Sequence, residues 1–225
     1  MRVGGVRVGG AALRALASTT ERLRAKRLGP KRLRPKRFGP QGLHAQRLGP
    51  QRLGAQGLTV RAGFEYEFFV FNETPHSVRE KGYRNLTPIT PGNFGYSVLR
   101  TSALGAEFSQ FMNYCADIQC ELEGLHCETG PGVWEAALVS QQGLEAADRA
   151  ALFKTLAKGY FQRRDMLATF MAKWSMDYPG QSGHLHLSIS DQDGKNIFFD
   201  EDDAAGISQK MRHCVAGLQR YLPEF

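Results

Sequence analysis

Cysteine is scarce and never closely paired in this chain of 225 residues: there are four, Cys115, Cys120, Cys127 and Cys214, and no Cys-x-x-Cys. That density excludes a disulfide scaffold, and the gaps of five and seven between the first three fit no common zinc module. Reduced thiols in a cytosol-like compartment are therefore expected, and with them a cytoplasmic location. No apolar run approaches the roughly 18 to 20 residues that a spanning helix needs, so no membrane role is expected. The phosphate-cradling signatures G-x-x-x-x-G-K-S/T and G-x-G-x-x-G are missing as well. Acids are almost absent from one part of the chain. Residues 1–62 hold 15 of the 29 Lys and Arg but only Glu21 of the 22 acids, a net of +14, which leaves residues 63–225 with a net of −7. The overall +7 thus joins two unlike materials.

The basic part repeats with a period of five, as in Arg27-Leu28-Gly29-Pro30-Lys31, Arg32-Leu33-Arg34-Pro35-Lys36 and Arg37-Phe38-Gly39-Pro40-Gln41. Five is neither a helical nor a strand period. Recurrent proline removes backbone donors, glycine raises the entropy cost of ordering, and one Leu or Phe per unit builds no core. Residues 1–62 are expected to be a disordered basic tail with some polyproline-like extension. Two other readings compete. A cationic tail attracts nucleic acid by counterion release, but Phe38 is its one base-stacking residue and no recognition module is present, so no specific nucleic-acid partner is expected. Residues 1–20, with Arg2, Arg7, Arg14 and no acid, also have the composition of a transit peptide.

Residues 63–225 carry the signals of a folded domain. Phe64–Phe71 is rich in aromatic and β-branched residues and reads as a strand with a buried portion at its end, Glu65 and Glu67 sharing one face. Residues 72–96 read as a loop, Ala106–Asp117 as a helix with Phe108, Phe111, Met112 and Cys115 inward, and Cys120–Val139 as two strands around Thr129–Gly132. Leu144–Gln162 is the strongest helix, with Leu152, Leu156 and Gly159/Tyr160 as its apolar stripe. A strand follows Asp165, and Gly183–Ser190 alternates as another, closed by an Asp-Gly turn at 191–195. Asp203 is expected to cap a terminal helix of about 18 residues that ends before Pro223. Without a regular βαβ alternation, the fold class is α+β.

Residues i and i+2 of a strand share a face, so Glu65/Glu67 and His184/His186 each present two polar groups to one side of a sheet. Aromatic neighbours imply burial for the glutamates, and unpaired buried carboxylates cost several kcal/mol, on the order of the penalty for any buried charge. With Glu128 and Glu135 the set reaches four carboxylates and two imidazoles, while Lys173 is the one basic residue flanking the motifs. Two divalent ions such as Mg²⁺ or Mn²⁺ would account for it. Ordinary polar strand faces are the alternative.

The segment Gly63-Phe64-Glu65-Tyr66-Glu67-Phe68-Phe69 resembles the glutamine synthetase motif G-x-E-x-E-F. Residues 123–135, Glu-Gly-Leu-His-Cys-Glu-Thr-Gly-Pro-Gly-Val-Trp-Glu, resemble that family's E-x-x-x-x-E-x-G-P-G-x-x-E. Ala168-Thr169-Phe170-Met171-Ala172-Lys173 and Gly180-Gln181-Ser182-Gly183-His184-Leu185-His186-Leu187-Ser188 resemble A-T-F-M-x-K and G-x-x-x-H-x-H-x-S. The resemblance runs over residues 63–225 and implies part of a type I-like or glutamate–amine ligase catalytic domain, an antiparallel curved sheet flanked by helices. It implies one ion on Glu67, Glu128 and Glu135, a second on Glu65 and His184, ATP contacts from Glu123, His186 and Ser188, and a glutamate contact at Gly180. The reaction implied is phosphorylation of glutamate by ATP, then displacement of phosphate by ammonia or an amine, in a homo-oligomer. The ions would neutralise phosphoryl oxygens and hold donor and acceptor in line.

The family's amino-terminal β-grasp domain has no counterpart in the basic repeat, and the chain reaches Phe225 ahead of the family's flap glutamate and phosphate-binding arginines. The expectation is a truncated ligase of doubtful activity alone. The alternatives are a non-catalytic relative that binds nucleotide or assembles with other subunits, and a basic-tailed nucleic-acid binder, disfavoured by the acidity of the folded part.

Overall fold

The computed structural model describes residues 50–224; of the tail expected to be disordered over residues 1–62, residues 1–49 lie outside the described residues, whereas residues 50–54 are helical and residues 59–62 already belong to the first strand. The described chain is mixed α and β, as its lack of βαβ alternation predicts. Six strands, β1 (Thr59–Phe71), β2 (Leu122–Cys127), β3 (Val133–Leu138), β4 (Gln141–Gln142), β5 (Leu167–Thr169) and β6 (Gly183–Ser190), form one sheet in the order β2-β3-β1-β4, with β5 and β6 also pairing with β1. The pairings of β1 with β3, β4 and β5, and of β2 with β3, are all antiparallel. The described residues divide into two compact bodies, residues 61–185 and residues 50–60 with 186–224.

In the body of residues 61–185, β1 determines what each face of the sheet becomes. Its residues Phe64, Tyr66, Phe68 and Val70 point into the main core, as period-two alternation requires. On its other face Glu65 and Glu67 give way to Phe69 and Phe71, which close a second small core with Val133 against Trp174. Over the main face lie helices α3 (Gly105–Asp117) and α4 (Leu144–Gln162). Phe68 is fully buried, with the rings of Phe111, Trp134, Phe153, Phe161 and Phe170 around it at centroid distances of 5.2–6.2 Å. Offset and edge-on aromatic pairs of this kind add to the burial they bring.

Several expectations need correction. β1 begins at Thr59, ahead of Phe64. The segment read as a loop holds a helical turn, α1 (Pro75–Glu80), capped by Thr74 and Ser77 in a reciprocal box with proline in its first turn, and α2 (Val98–Ala103) follows it. Helix α4 has the predicted bounds and buries Tyr160 as expected, but the rest of its inner face differs: Ala146, Ala150, Phe153, Ala157 and Phe161 are buried, while Leu152 is 52% exposed. Apolar residues occur all round this helix, and the crowded rings beneath it accept three alanines with Phe153, Tyr160 and Phe161 more closely than a row of leucines.

In the second body, Asp191 Oδ1 accepts from the Asp193 and Lys195 N–H groups at the expected turn. The terminal helix, α5 (Gln209–Tyr221), is shorter than expected and is capped by Ser208, whose hydroxyl accepts from Met211 N–H at 3.1 Å. Asp203 instead staples the preceding loop, accepting from Ala205 and Ile207 N–H. No described helix is long and apolar enough to cross a membrane.

The face of α4 is directly testable. Phe153→Ala should lower the unfolding free energy by about 3–5 kcal/mol in a urea titration, and Leu152→Ala by less than about 0.5 kcal/mol.

Candidate active site

Strand register assembles the polar face. Glu67 on β1 stands opposite Glu135 on β3, and Glu135 stands opposite His126 on β2, so three polar residues form a row across the sheet. Glu65 lies two residues from Glu67 and shares its side. Next to β1, Glu67 N–H donates to Ser182 O at 3.2 Å and Ser182 N–H donates to Glu67 Oε2 at 2.7 Å. A β-carbon on Gly183 would collide with the Glu65 carbonyl oxygen, so glycine permits the close approach that delivers the next residue. His184 Nδ1 lies 2.8 Å from Glu65 Oε2 and 3.6 Å from Glu135 Oε1. Glu128 sits where β2 enters the turn, its Oε1 accepting from Thr129 N–H at 2.6 Å.

Two donor groups result. Ligand atoms of Glu65, Glu135 and His184 lie within 4.8 Å of one another, and so do those of His126, Glu128 and Glu135. Glu135 belongs to both, and it is 6% exposed. Mixed carboxylate and imidazole donors suit a hard divalent cation. Burial first, and then the charges of Glu65, Glu67 and Glu128, push the Glu135 carboxyl up to about 7, with His184 opposing the shift. Burial also acts upward on Glu128, but bonds from the Tyr96 hydroxyl, Thr129 and Glu135 carry it below its ordinary value. A face that holds one of its own carboxyls protonated near neutrality is short of positive charge, which a cation supplies.

Of the residues expected from sequence, Glu65, Glu128, Glu135 and His184 fall in these groups, and Glu67 flanks them. Glu123 lies exposed on β2. Gly180 sits where the chain folds back so closely that a β-carbon would stand 2.7 Å from Ala172 O. His186 and Ser188 lie on β6 in the second body. Sequence reading missed His126, whose Nε2 is 3.4 Å from Glu135 Oε2 and whose ring packs on Tyr96 at 4.9 Å. The signal was present: His126 precedes Glu128 by two, the same-face spacing already applied to the other pairs. It also favoured the wrong lysine. Lys154 on α4, stacked over Tyr66 and Phe170 at 5.5 and 5.4 Å, lines a cavity of about 410 Å³ with Glu65, Glu67 and His184, whereas Lys173 is exposed.

Comparison with known proteins places these features in context. The family model described as glutamine synthetase, catalytic domain, matches residues 45–225. A type-1 glutamine synthetase of Dictyostelium discoideum is 45% identical over 167 residues, covering 72% of this chain and 31% of that protein. A gamma-glutamylethanolamide synthetase of Streptomyces coelicolor is 36% identical, covering 75% of this chain and 36% of its own length. A glutamate–isopropylamine ligase of a Pseudomonas species is 31% identical, covering 72% and 35%. The chain therefore spans about a third of the length of these relatives. Among solved structures, a glutamine synthase homologue superposes with a TM-score of 0.67 at 23% identity, covering 80% of this chain and 39% of that one.

The position of Glu135 gives a pH signature. Its folded carboxyl titrates near 7 against an ordinary 4.5, so the folded state holds the proton more tightly. That stabilisation is complete below about pH 4.5 and is lost as pH rises through 7. In metal-free protein, Glu135→Gln should remove a decline of about 1–2 kcal/mol between pH 5 and 8, after allowance for screening by water. Mn²⁺ should restore the wild type at pH 8 and stabilise the variant less. Thermal melts across that range check both.

Proposed function

The chain belongs to the glutamine synthetase family, and on that premise we propose that its carboxylate–imidazole face is the metal centre of an ATP-dependent ligase joining glutamate to ammonia or an amine. The observation that carries the reading is Glu135, shared by two donor groups and crowded by three other carboxylates. Glu67, Glu128 and Glu135 would hold one Mg²⁺ or Mn²⁺, and Glu65 with His184 the other. When bound, the two ions neutralise phosphoryl oxygens during transfer from ATP to the glutamate γ-carboxylate.

The chain's own residues prepare that centre. The Ser182 amide fixes one oxygen of Glu67, and the Thr129 amide fixes one of Glu128, so each carboxylate offers its other oxygen in a defined direction. The Glu65 carboxylate orients the His184 ring through Nδ1. Glu123, His186 and Ser188 are assigned to ATP and the Gly180 backbone to glutamate, on the motifs they occupy. The named relatives include a gamma-glutamylethanolamide synthetase and a glutamate–isopropylamine ligase besides a glutamine synthetase, which supports an amine or ammonia as acceptor. Assembly into a homo-oligomer belongs to the same proposal.

Titration of the full chain with Mn²⁺, with and without ATP, tests this reading. Two bound ions are expected, with Glu128→Ala and Glu65→Ala each weakening binding at least tenfold. Phosphate release from ATP should require both glutamate and an amine. Mn²⁺ binding unchanged in both variants would overturn the proposal.

A further inference from the structure

Between Asn72 and Thr90 the chain leaves the end of β1 and returns to it, and one buried acid fixes the return. Glu73, 3% exposed, accepts from the Ser77 hydroxyl at 2.6 Å, from Thr87 N–H at 2.8 Å and from the Lys81 ammonium. The Lys81 bond above all holds its carboxyl down at about 2, so this clasp stays ionised throughout the neutral range. From the clasp, residues 87–90 run beside β1. Asn72 N–H donates to Thr87 O at 2.8 Å, and Ile89 N–H donates to Val70 O at 3.0 Å.

This run ends on the turn between the candidate ligands. The Thr90 hydroxyl, on a residue 7% exposed, accepts from the buried Gly132 N–H at 3.0 Å. The Gly132 carbonyl accepts from Val70 N–H at 2.8 Å. Both backbone groups of Gly132 are thus tied to neighbouring chain, at a φ of +71° and with a β-carbon position only 2.5 Å from Val70 O. Gly132 stands between Glu128 and Glu135, in a turn whose two glycines have little stiffness of their own. Ligand carboxylates must be held to about 0.5 Å for tight binding, and a Gly-Pro-Gly turn does not provide that without an outside anchor.

We propose that Thr90 is a positioning residue for the ion held at Glu128 and Glu135, its hydroxyl anchoring the ligand-bearing turn to the run of residues 87–90 that the Glu73–Lys81 clasp locks in place. The proposal rests on the metal reading above. Thr90→Ser keeps the acceptor, and Thr90→Val keeps the shape but leaves the Gly132 amide unanswered.

The test is Mn²⁺ binding by the full chain, read as free-ion signal in electron paramagnetic resonance, beside thermal melts. Thr90→Ser should bind both ions within twofold of wild type. Thr90→Val should weaken one of the two ions about tenfold and leave the other within twofold, a selectivity that a general loss of stability does not produce. If Thr90→Val does not fold, Glu73→Gln loosens the same run from its far end and should give the same selective loss at about threefold. Equal weakening of both ions, or unchanged binding in the folded variant, overturns the role of Thr90 while the metal centre stands. Failure of wild type to bind Mn²⁺ overturns both.

Discussion

Mutual repulsion among carboxylates gathered on one face of a sheet is the constraint on which this structure turns. Glu65, Glu67 and Glu128 surround the buried Glu135, and their charges add to its burial in keeping its carboxyl protonated up to about pH 7. Such an arrangement is unfavourable in isolation and becomes favourable once cations enter. What the protein holds in readiness is a charge deficit of fixed shape.

The opposite face supplies the rigidity that holds it. Phe68, Trp134, Phe153 and Phe161 interlock without solvent exposure, so strands β1 and β3 cannot slide apart to relieve the repulsion. Register then does the rest. Because Glu67, Glu135 and His126 lie on one row of paired residues, a one-residue slip of any of the three strands would send its own polar residue into the aromatic layer. The same core that stabilises the fold therefore fixes the spacing of the candidate ligands.

Much of this was legible in the residues. Period-two alternation in β1 located the shared face of Glu65 and Glu67, and the four motifs predicted the family that the comparisons show. Local signals failed where packing or competing caps decided the outcome. Helix α4 had apolar residues on several sides, so its inner face was set by the rings beneath it and not by hydrophobicity. Asp203 and Ser208 are both good capping residues, and the aspartate was taken up by its own loop. His126 was readable by the spacing rule and passed over. Lys154 was not readable, because it reaches the cavity from a helix far along the chain.

The central claim is that Glu135 is held protonated by its neighbours until divalent ions replace the proton. Carbon-13 NMR of the labelled Glu135 carboxyl, titrated with and without Mg²⁺, measures this directly. The account predicts a midpoint near 7 in metal-free protein and no titration above about pH 5 once Mg²⁺ saturates the site. A midpoint near 4.5 in both conditions would contradict it.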